Sequence, residues 1–370
     1  MSRTRDDDAC PGALQVHQAA DGALARVRLP GGLITPEQLT ALAFIAEEYC
    51  SPALELTSRG NIQLRAITDS DAVADAVAAA GLLPSPTHER VRNIVASPLS
   101  GRHGGVGDVR PLITALDEAL CADAALAELP GRFWFGLDDG SGDISGLGAD
   151  VGAHLLGPDT AAVLVAGVDT GVRVAVADVV PTLLALATAF LEIRGKAWRT
   201  AELTDIAPLL DGFAAVAEPG ATWQAVTRPP VGWIEQDDGL ITLGAAVPLG
   251  VLKARVAEFL AAPVKPLVVT PWRSMLMCDL DEGAADTVLR VLAPMGVVFD
   301  ETSPWLDVSA CTGSPGCAKS AADVRADAAV AAQQPVDTHL HFVGCERACG
   351  SPPAGDVLVA TADGYRRQQK

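Results

Sequence analysis

The chain is short of positive charge. Its 370 residues carry 27 lysines and arginines against 46 aspartates and glutamates, a formal net charge of −19. Phosphate backbones are bound by basic surfaces, so nucleic acid is excluded as a partner, and an anionic ligand would need a local basic pocket working against the global field. A long apolar run is missing too. The most apolar stretch, residues 179–191, is interrupted by Pro181 and reads as too short to span a bilayer. The first eight residues have no apolar core, so no secretory leader is expected there. A cytoplasmic protein with reduced thiols is therefore expected, without the disulfide scaffold of a small secreted domain. Length and a 49% hydrophobic composition suit two or three domains, or one domain duplicated.

What is present is thiol chemistry. Cys311 and Cys317 form a C-x5-C pair, and Cys345 and Cys349 a C-x3-C pair, each bedded in Gly, Ser or Ala. Thiolates bind iron, and small residues let the backbone wrap an inorganic core and aim N–H groups at its sulfurs. Zinc is the alternative, although its structural sites favour tighter knuckles than C-x5-C. Cys10, Cys50, Cys121 and Cys278 are scattered. The last three lie in apolar stretches and read as buried small hydrophobes.

Two segments repeat one order of elements. Residues 28–33 and 246–251 each precede a helical stretch, then a strand ending near Thr57 or Thr270, a second strand, and a second helix before Gly81 or Gly296. Strand, helix, strand, strand, helix, strand is the ferredoxin-like α+β unit. The repeat extends further. Residues 93–98 align with 310–315 through a shared Ser-Pro, and each is followed by a helix (near 112–128 and 318–333) and a strand (133–137 and 340–343). Residues 154–210 have no evident counterpart and read as an insertion. The stretch 211–236 reads as a linker rich in Ala, Gly and Pro.

The first half holds arginines where the second holds cysteines. Arg28, Arg59, Arg92 and Arg132 lie at strand edges, most of them near Gly or Pro. A lone surface arginine contributes ~0–1 kcal/mol through an ion pair. Four in comparable positions suggest a cluster for a ligand with several carboxylates, with Asn61, Gln63 and Asn93 as neutral donors.

At these residues the chain resembles the nitrite/sulfite reductase superfamily. The motifs are Arg-Leu-Pro-Gly-Gly at 28–32, Thr-x-Arg-x-Asn-Ile-Gln at 57–63, Arg-Asn-Ile at 92–94 and the two cysteine pairs, in the superfamily's order. The resemblance implies an α+β, duplicated nitrite/sulfite reductase-like fold: two ferredoxin-like units (10–84 and 216–300) plus the two halves of an iron–sulfur and tetrapyrrole domain (85–215 and 301–370). It also implies a 4Fe–4S cluster on Cys311, Cys317, Cys345 and Cys349, with tetrapyrrole carboxylates on Arg28, Arg59, Asn61, Gln63, Arg92, Asn93 and Arg132. Sirohaem reductases carry two lysines in a Leu-Pro-Arg-Lys-Phe-Lys strand, whereas residues 129–134 here read Leu-Pro-Gly-Arg-Phe-Trp. One cation becomes Arg132 and the other Trp134. Together with the short chain and the Asp138-Asp139-Gly140 turn, this resembles the precorrin-3B synthases, monooxygenases of aerobic cobalamin synthesis. That resemblance implies hydroxylation of precorrin-3A at C20 by O2, with closure of a lactone from the ring A acetate. A mononuclear non-haem iron and a separate NADH-dependent electron donor are implied as well. The alternatives are a sirohaem-dependent sulfite or nitrite reductase, and a protein that only binds or delivers a tetrapyrrole.

No two-His-one-carboxylate triad is legible for the iron. His339 and His341, two apart on a strand leading to Cys345, are candidate ligands or catalytic groups, and His103, in a flexible loop beside Arg92, is another. The glycines at 146–152 loosely resemble a dinucleotide fingerprint, but the expected element order around them is not βαβ.

Overall fold

The computed structural model describes residues 8–368. They form two compact units. One comprises the chain up to Gly12, Arg28–Gly32 and Leu83–Val226. The other comprises Ala13–Val27, Leu33–Leu82 and everything from Thr227.

The second unit contains both ferredoxin-like repeats, and they match element for element. In the first repeat, strands His17–Ala19, Gly22–Val27 and Leu33–Ile34 lead to helix Pro36–Tyr49, strands Ala53–Leu56 and Ile62–Ile67, and helix Ser70–Ala79. In the second, Gly232–Glu235, Ile241–Ala246 and Val251–Lys253 lead to helix Ala254–Ala261, strands Leu267–Val269 and Ser274–Leu280, and helix Glu282–Leu292. The 211–236 stretch is thus not wholly linker, because an edge strand occupies its end.

Local chemistry explains where these helices begin. Thr35 and Gln38 form a reciprocal capping box with Pro36 in the first turn. Asp69 and Asp281 cap the two later helices in equivalent positions, accepting from the backbone N–H of Ala72 and Ala284. Even the irregularities repeat. The antiparallel pair of Gly22–Val27 with Ile62–Ile67 and that of Ile241–Ala246 with Ser274–Leu280 each carry a register shift, and Ala66 and Asp279 take left-handed backbone there.

The repeats exchange strands. Val251–Lys253 of the second repeat pairs antiparallel with Ala53–Leu56 of the first. Leu33–Ile34 of the first pairs with Leu267–Val269 of the second. Helix Pro36–Tyr49 buries Leu39, Leu42, Ala43, Ile45 and Ala46, and helix Ala254–Ala261 buries Val256, Ala257 and Leu260; these two helices pack on each other. Each sheet is therefore completed by the other repeat, and neither half closes its edge alone.

The second unit ends in a four-stranded sheet. Val308–Ala310, Leu340–Val343 and Asp356–Thr361 run parallel, and Gly364–Arg367 returns antiparallel. Helix Val324–Ala331 makes the crossover between the first two strands, burying Val324 and Ala328.

The first unit has the same sheet with one strand more. Ile94–Ala96, Phe135–Asp138 and Val151–Leu155 run parallel, and Thr160–Val165 and Val168–Ala175 follow antiparallel. Strands 151–155 and 160–165 thus have counterparts in 356–361 and 364–367, so the part without an equivalent starts at 168 and not 154. Pro181 does not interrupt the apolar segment either. It falls in the first turn of helix Val179–Ile193, where its missing N–H is not needed. With the preceding turn, Val176–Ile193 is long and apolar enough by length and composition to cross a membrane. Leu183, Leu186, Ala187 and Phe190 of that helix are fully buried in the first unit, where the Phe190 ring lies 4.9 Å from that of Phe133.

Matched by sheet position, Ile94–Ala96 corresponds to Val308–Ala310. The Ser-Pro alignment of the sequences is therefore out by three residues, and Ser97 stands where the second unit has Cys311. The hydrogen bonds agree. Ser97 N–H donates to Leu137 O and Asp139 N–H donates to Ser97 Oγ. Cys311 N–H donates to Phe342 O and Gly344 N–H donates to Cys311 Sγ.

Candidate functional site

Two adjacent parallel strands end side by side in the second unit. Cys311 follows Val308–Ala310 directly, and Cys345 follows Leu340–Val343 after one glycine. Parallel pairing therefore delivers both cysteine loops to one edge of the sheet. Gly344 N–H points at Cys311 Sγ at 3.3 Å, the type of contact that stabilises a thiolate on iron. The loop at 345–349 is tight: Ala348 adopts a left-handed backbone, and its N–H closes on Cys345 O at 3.1 Å.

The four thiols are electrostatic neighbours. Burial, then Cys311, Cys345 and Cys317, push the Cys349 thiol above its ordinary value, with Arg347 opposing. Such a group of thiols becomes a set of thiolates only with a cation among them. Zinc would draw four sulfurs to about 3.8 Å from one another at Zn–S ≈ 2.3 Å. Among the described residues no three of these sulfurs lie within 4.8 Å of one another. Four thiols bedded in small residues are the donor chemistry that an iron–sulfur core takes. Of the remaining cysteines, Cys278 is fully buried, while Cys50 and Cys121 are only half-buried; burial raises Cys50 to about 11.

Three arginines that the motifs did not single out lie in this unit. Arg65 forms a fork with Asp21 (3.0 and 2.8 Å) and donates to Gly316 O, inside the C-x5-C loop, at 2.8 Å. Arg325 donates to Glu55 at 2.6 Å, and Glu55 also accepts from Gln63. Arg273 donates to Gly350 O at 3.1 Å and occupies left-handed backbone in the hairpin turn, where the equivalent first-repeat residue is Gly60. A side chain in that conformation is costly, and such outliers collect at functional sites. No motif in the sequence drew attention to Arg65 or Arg273.

The candidate histidines also lie here. His341 is 0% exposed. Its Nε2 is 3.0 Å from Cys349 O and its Nδ1 is 2.8 Å from Ser309 Oγ, which lies 2.7 Å from His339 Nε2. A carbonyl only accepts, so His341 Nε2–H donates to Cys349, Ser309 O–H donates to His341 Nδ1, and His339 Nε2–H donates to Ser309. Burial, then Arg273, hold His341 down to about 3, so the ring is neutral. Burial also lowers His339. With both its nitrogens engaged, His341 as arranged buttresses the cysteine loop and offers no lone pair to iron. His103 is exposed in a loop of the first unit.

The residues expected to grip carboxylates divide between the units. In the second unit, Arg59 is half-exposed at a hairpin tip built on the hydroxyl of Thr57, which accepts from Arg59 and Asn61 N–H. The Gln63 amide is engaged on both sides, by Arg26 and by Glu55. In the first unit, Arg28 is 2% exposed and donates to Arg90 O and Pro11 O. Arg92 is buried and already holds a carboxylate, that of Asp117, at 2.7 and 2.6 Å. Asn93 donates to three main-chain oxygens, those of Arg90, Gly131 and Phe133. Arg132 is exposed and stacks 5.0 Å above the Trp198 ring. Of these four arginines, Arg28 and Arg92 are committed to interior bonds, and Arg59 and Arg132 reach solvent.

Where the second unit has thiols, the first has oxygens. Asp138, Asp139 and Asp143 bring carboxylates within 4.8 Å of one another. Burial works against ionisation of Asp138, but His154 and the N–H groups of Ser145 and Gly142 prevail and hold it down to about 2. Burial, then Asp138 and Asp139, push Asp143 up to about 7, against the hydrogen bond from Ser97 Oγ. The glycines at 146–152 lead into strand Val151–Leu155 and not into a helix, so no dinucleotide loop forms there.

Two strand-exchanged ferredoxin-like repeats, with a three-strand parallel sheet of one topology following each, define the nitrite/sulfite reductase-like fold. Residues 17–79 match the nitrite/sulfite reductase ferredoxin-like half domain. The Mycobacterium tuberculosis NirA protein shares the fold with a TM-score of 0.75 at 19% identity, over 93% of this chain and 73% of that one. Among curated proteins, the chain is similar to a precorrin-3B synthase of Sinorhizobium sp (27% identical, covering 96% of this chain and 81% of that one). It is also similar to the ferredoxin–nitrite reductase of Synechococcus elongatus (26% identical, 90% and 75%). The resemblance read from the motifs therefore extends over nearly the whole chain.

Proposed function

We propose that this chain is an oxidoreductase of aerobic cobalamin synthesis that converts precorrin-3A to precorrin-3B. One atom of O2 enters at C20 and the ring A acetate closes a lactone. The other atom leaves as water, with two electrons drawn ultimately from NADH through a separate donor. A 4Fe–4S cluster on Cys311, Cys317, Cys345 and Cys349 would supply one-electron relay, and a mononuclear non-haem iron would supply O2 activation. Arg59 and Arg132, whose side chains reach solvent, are the candidates for the substrate's carboxylates. In the first unit Arg28 and Asn93 would hold main chain and Arg92 the Asp117 carboxylate, and in the second unit Gln63 would hold Arg26 and Glu55.

The observation that carries this reading is Trp134. Where the sirohaem reductases have a second lysine for their small anion, this chain has a buried indole whose backbone N–H donates to Asp150. An apolar ring cannot deliver protons to bound sulfite or nitrite. The similarity to a precorrin-3B synthase over 96% of the chain supports the same choice. The second reading, a sirohaem-dependent reductase, is favoured by the nitrite reductase relatives.

Anaerobic absorption decides between them. Intense visible bands of an iron tetrapyrrole in the purified protein would favour the reductase, and a broad, weak iron–sulfur band the synthase. Incubation with precorrin-3A under air should then add one oxygen by mass. Binding of the tetrapyrrole without that mass change would reduce the role to delivery.

A further inference from the structure

Cys349 is the one thiol of the four whose residue is exposed, and its main chain is held from beneath by groups that no cluster motif includes. Its own carbonyl accepts from the fully buried His341, and the next carbonyl, of Gly350, accepts from Arg273. His341 is in turn fixed by Ser309, on the neighbouring parallel strand, and Ser309 by His339. The register places Ser309 directly opposite His341, so a single hydroxyl spans the strand pair that carries both cysteine loops. In the first unit Val95 and Gly136 occupy these positions, and no thiols follow. Among the described residues, the polar chain lies beside the cysteine loops and is not found at the equivalent positions of the first unit.

We propose that His341, oriented by Ser309 and His339, is a positioning residue for Cys349: its N–H holds the loop backbone so that the exposed thiolate keeps its iron. The inference rests on the cluster assignment made above. Partners behind metal ligands typically account for about 10–100-fold in metal affinity. They orient the ligand without touching the metal.

The test is oxidative loss of one iron. With ferricyanide as acceptor, a 4Fe–4S(2+) cluster gives 3Fe–4S(+), Fe2+ and one electron, and the three-iron product is followed by its EPR signal. His341→Ala should speed this conversion about tenfold. His341→Gln, which restores a donor toward Cys349 O, should return the rate close to wild type. Ser309→Ala should fall between them. A His341→Ala rate equal to wild type overturns the proposal. So does a His341→Gln variant as labile as His341→Ala, since that would show a packing role and not a hydrogen bond. If His341→Ala fails to fold or to hold iron, Ser309→Ala decides, because it removes only the bridging hydroxyl: faster iron loss supports the proposal and an unchanged rate overturns it. A wild-type protein without a four-iron cluster after anaerobic purification would overturn the cluster assignment, and this proposal with it.

Discussion

Replacing Asp143 by Asn tests the electrostatics of the first unit. Asp143 lies beside Asp138, whose charge is locked by backbone N–H groups and His154, and its own carboxyl is pushed up to about 7 by burial and by that neighbour. An unfolded aspartate titrates near 3.9. The folded state therefore binds more protons than the unfolded state between about pH 4 and pH 7. The contribution of Asp143 to stability is fully present below pH 4 and is lost as pH rises through 7. A difference of about three pH units converts at ~1.4 kcal/mol each to a ceiling of about 4 kcal/mol. The carboxyl is not fully shielded from solvent, so about 1–3 kcal/mol is expected. Asn stays neutral at every pH and still offers Ser97 Oγ an acceptor, so Asp143→Asn should be more stable than wild type by about 1–3 kcal/mol at pH 8. At pH 4 the gain should fall below about 0.5 kcal/mol. Urea unfolding at both pH values measures the difference, and hydrogen exchange of strands Phe135–Asp138 and Val151–Leu155 reports on the first unit alone. A gain of equal size at pH 4 and pH 8 would refute the reasoning.

Other perturbations address the second unit and the cores. Arg65→Met leaves Asp21 unpaired and Gly316 O without its donor; a loss of about 2–3 kcal/mol in urea titration, with lower iron content after anaerobic reconstitution, is expected. Gly316→Ala would place a methyl group 2.7 Å from Thr312 Cγ2 and 3.1 Å from Asp21 Oδ2, so the C-x5-C loop must shift; reconstituted iron per chain should drop, with far-UV circular dichroism unchanged. Phe190→Ala removes a fully buried ring packed on Phe133 and should cost about 3–5 kcal/mol, read from hydrogen exchange of the first unit.

Much of the fold was legible because it rests on local rules. Strand and helix signals were written in local stretches that end at Gly81 and Gly296. The shared order of elements marked the duplication. Register was not legible. The Ser-Pro at 97–98 matches the Ser-Pro at 314–315 in letters only, since the sheets align Ser97 with Cys311. Strand exchange was equally hidden, because Leu33–Ile34 and Val251–Lys253 are too short to declare a partner and either sheet would accept them. The hydrogen-bond partners of the arginines were hidden for a related reason. A strand-edge position says that a guanidinium is near a surface, not whether Asp117 or a main-chain carbonyl already waits for it.

Spacing and residue type alone specified the cysteine pairs, their settings of small residues and the order of elements in the tandem repeat, since each is written in local stretches of the chain. Folding in three dimensions was needed to bring the two cysteine loops to one sheet edge, to carry Arg65 and Arg273 to those loops, and to turn both nitrogens of His341 inward. Each of these brings together residues up to hundreds of positions apart. Such meetings are set by strand pairing and burial, which no local pattern of letters encodes.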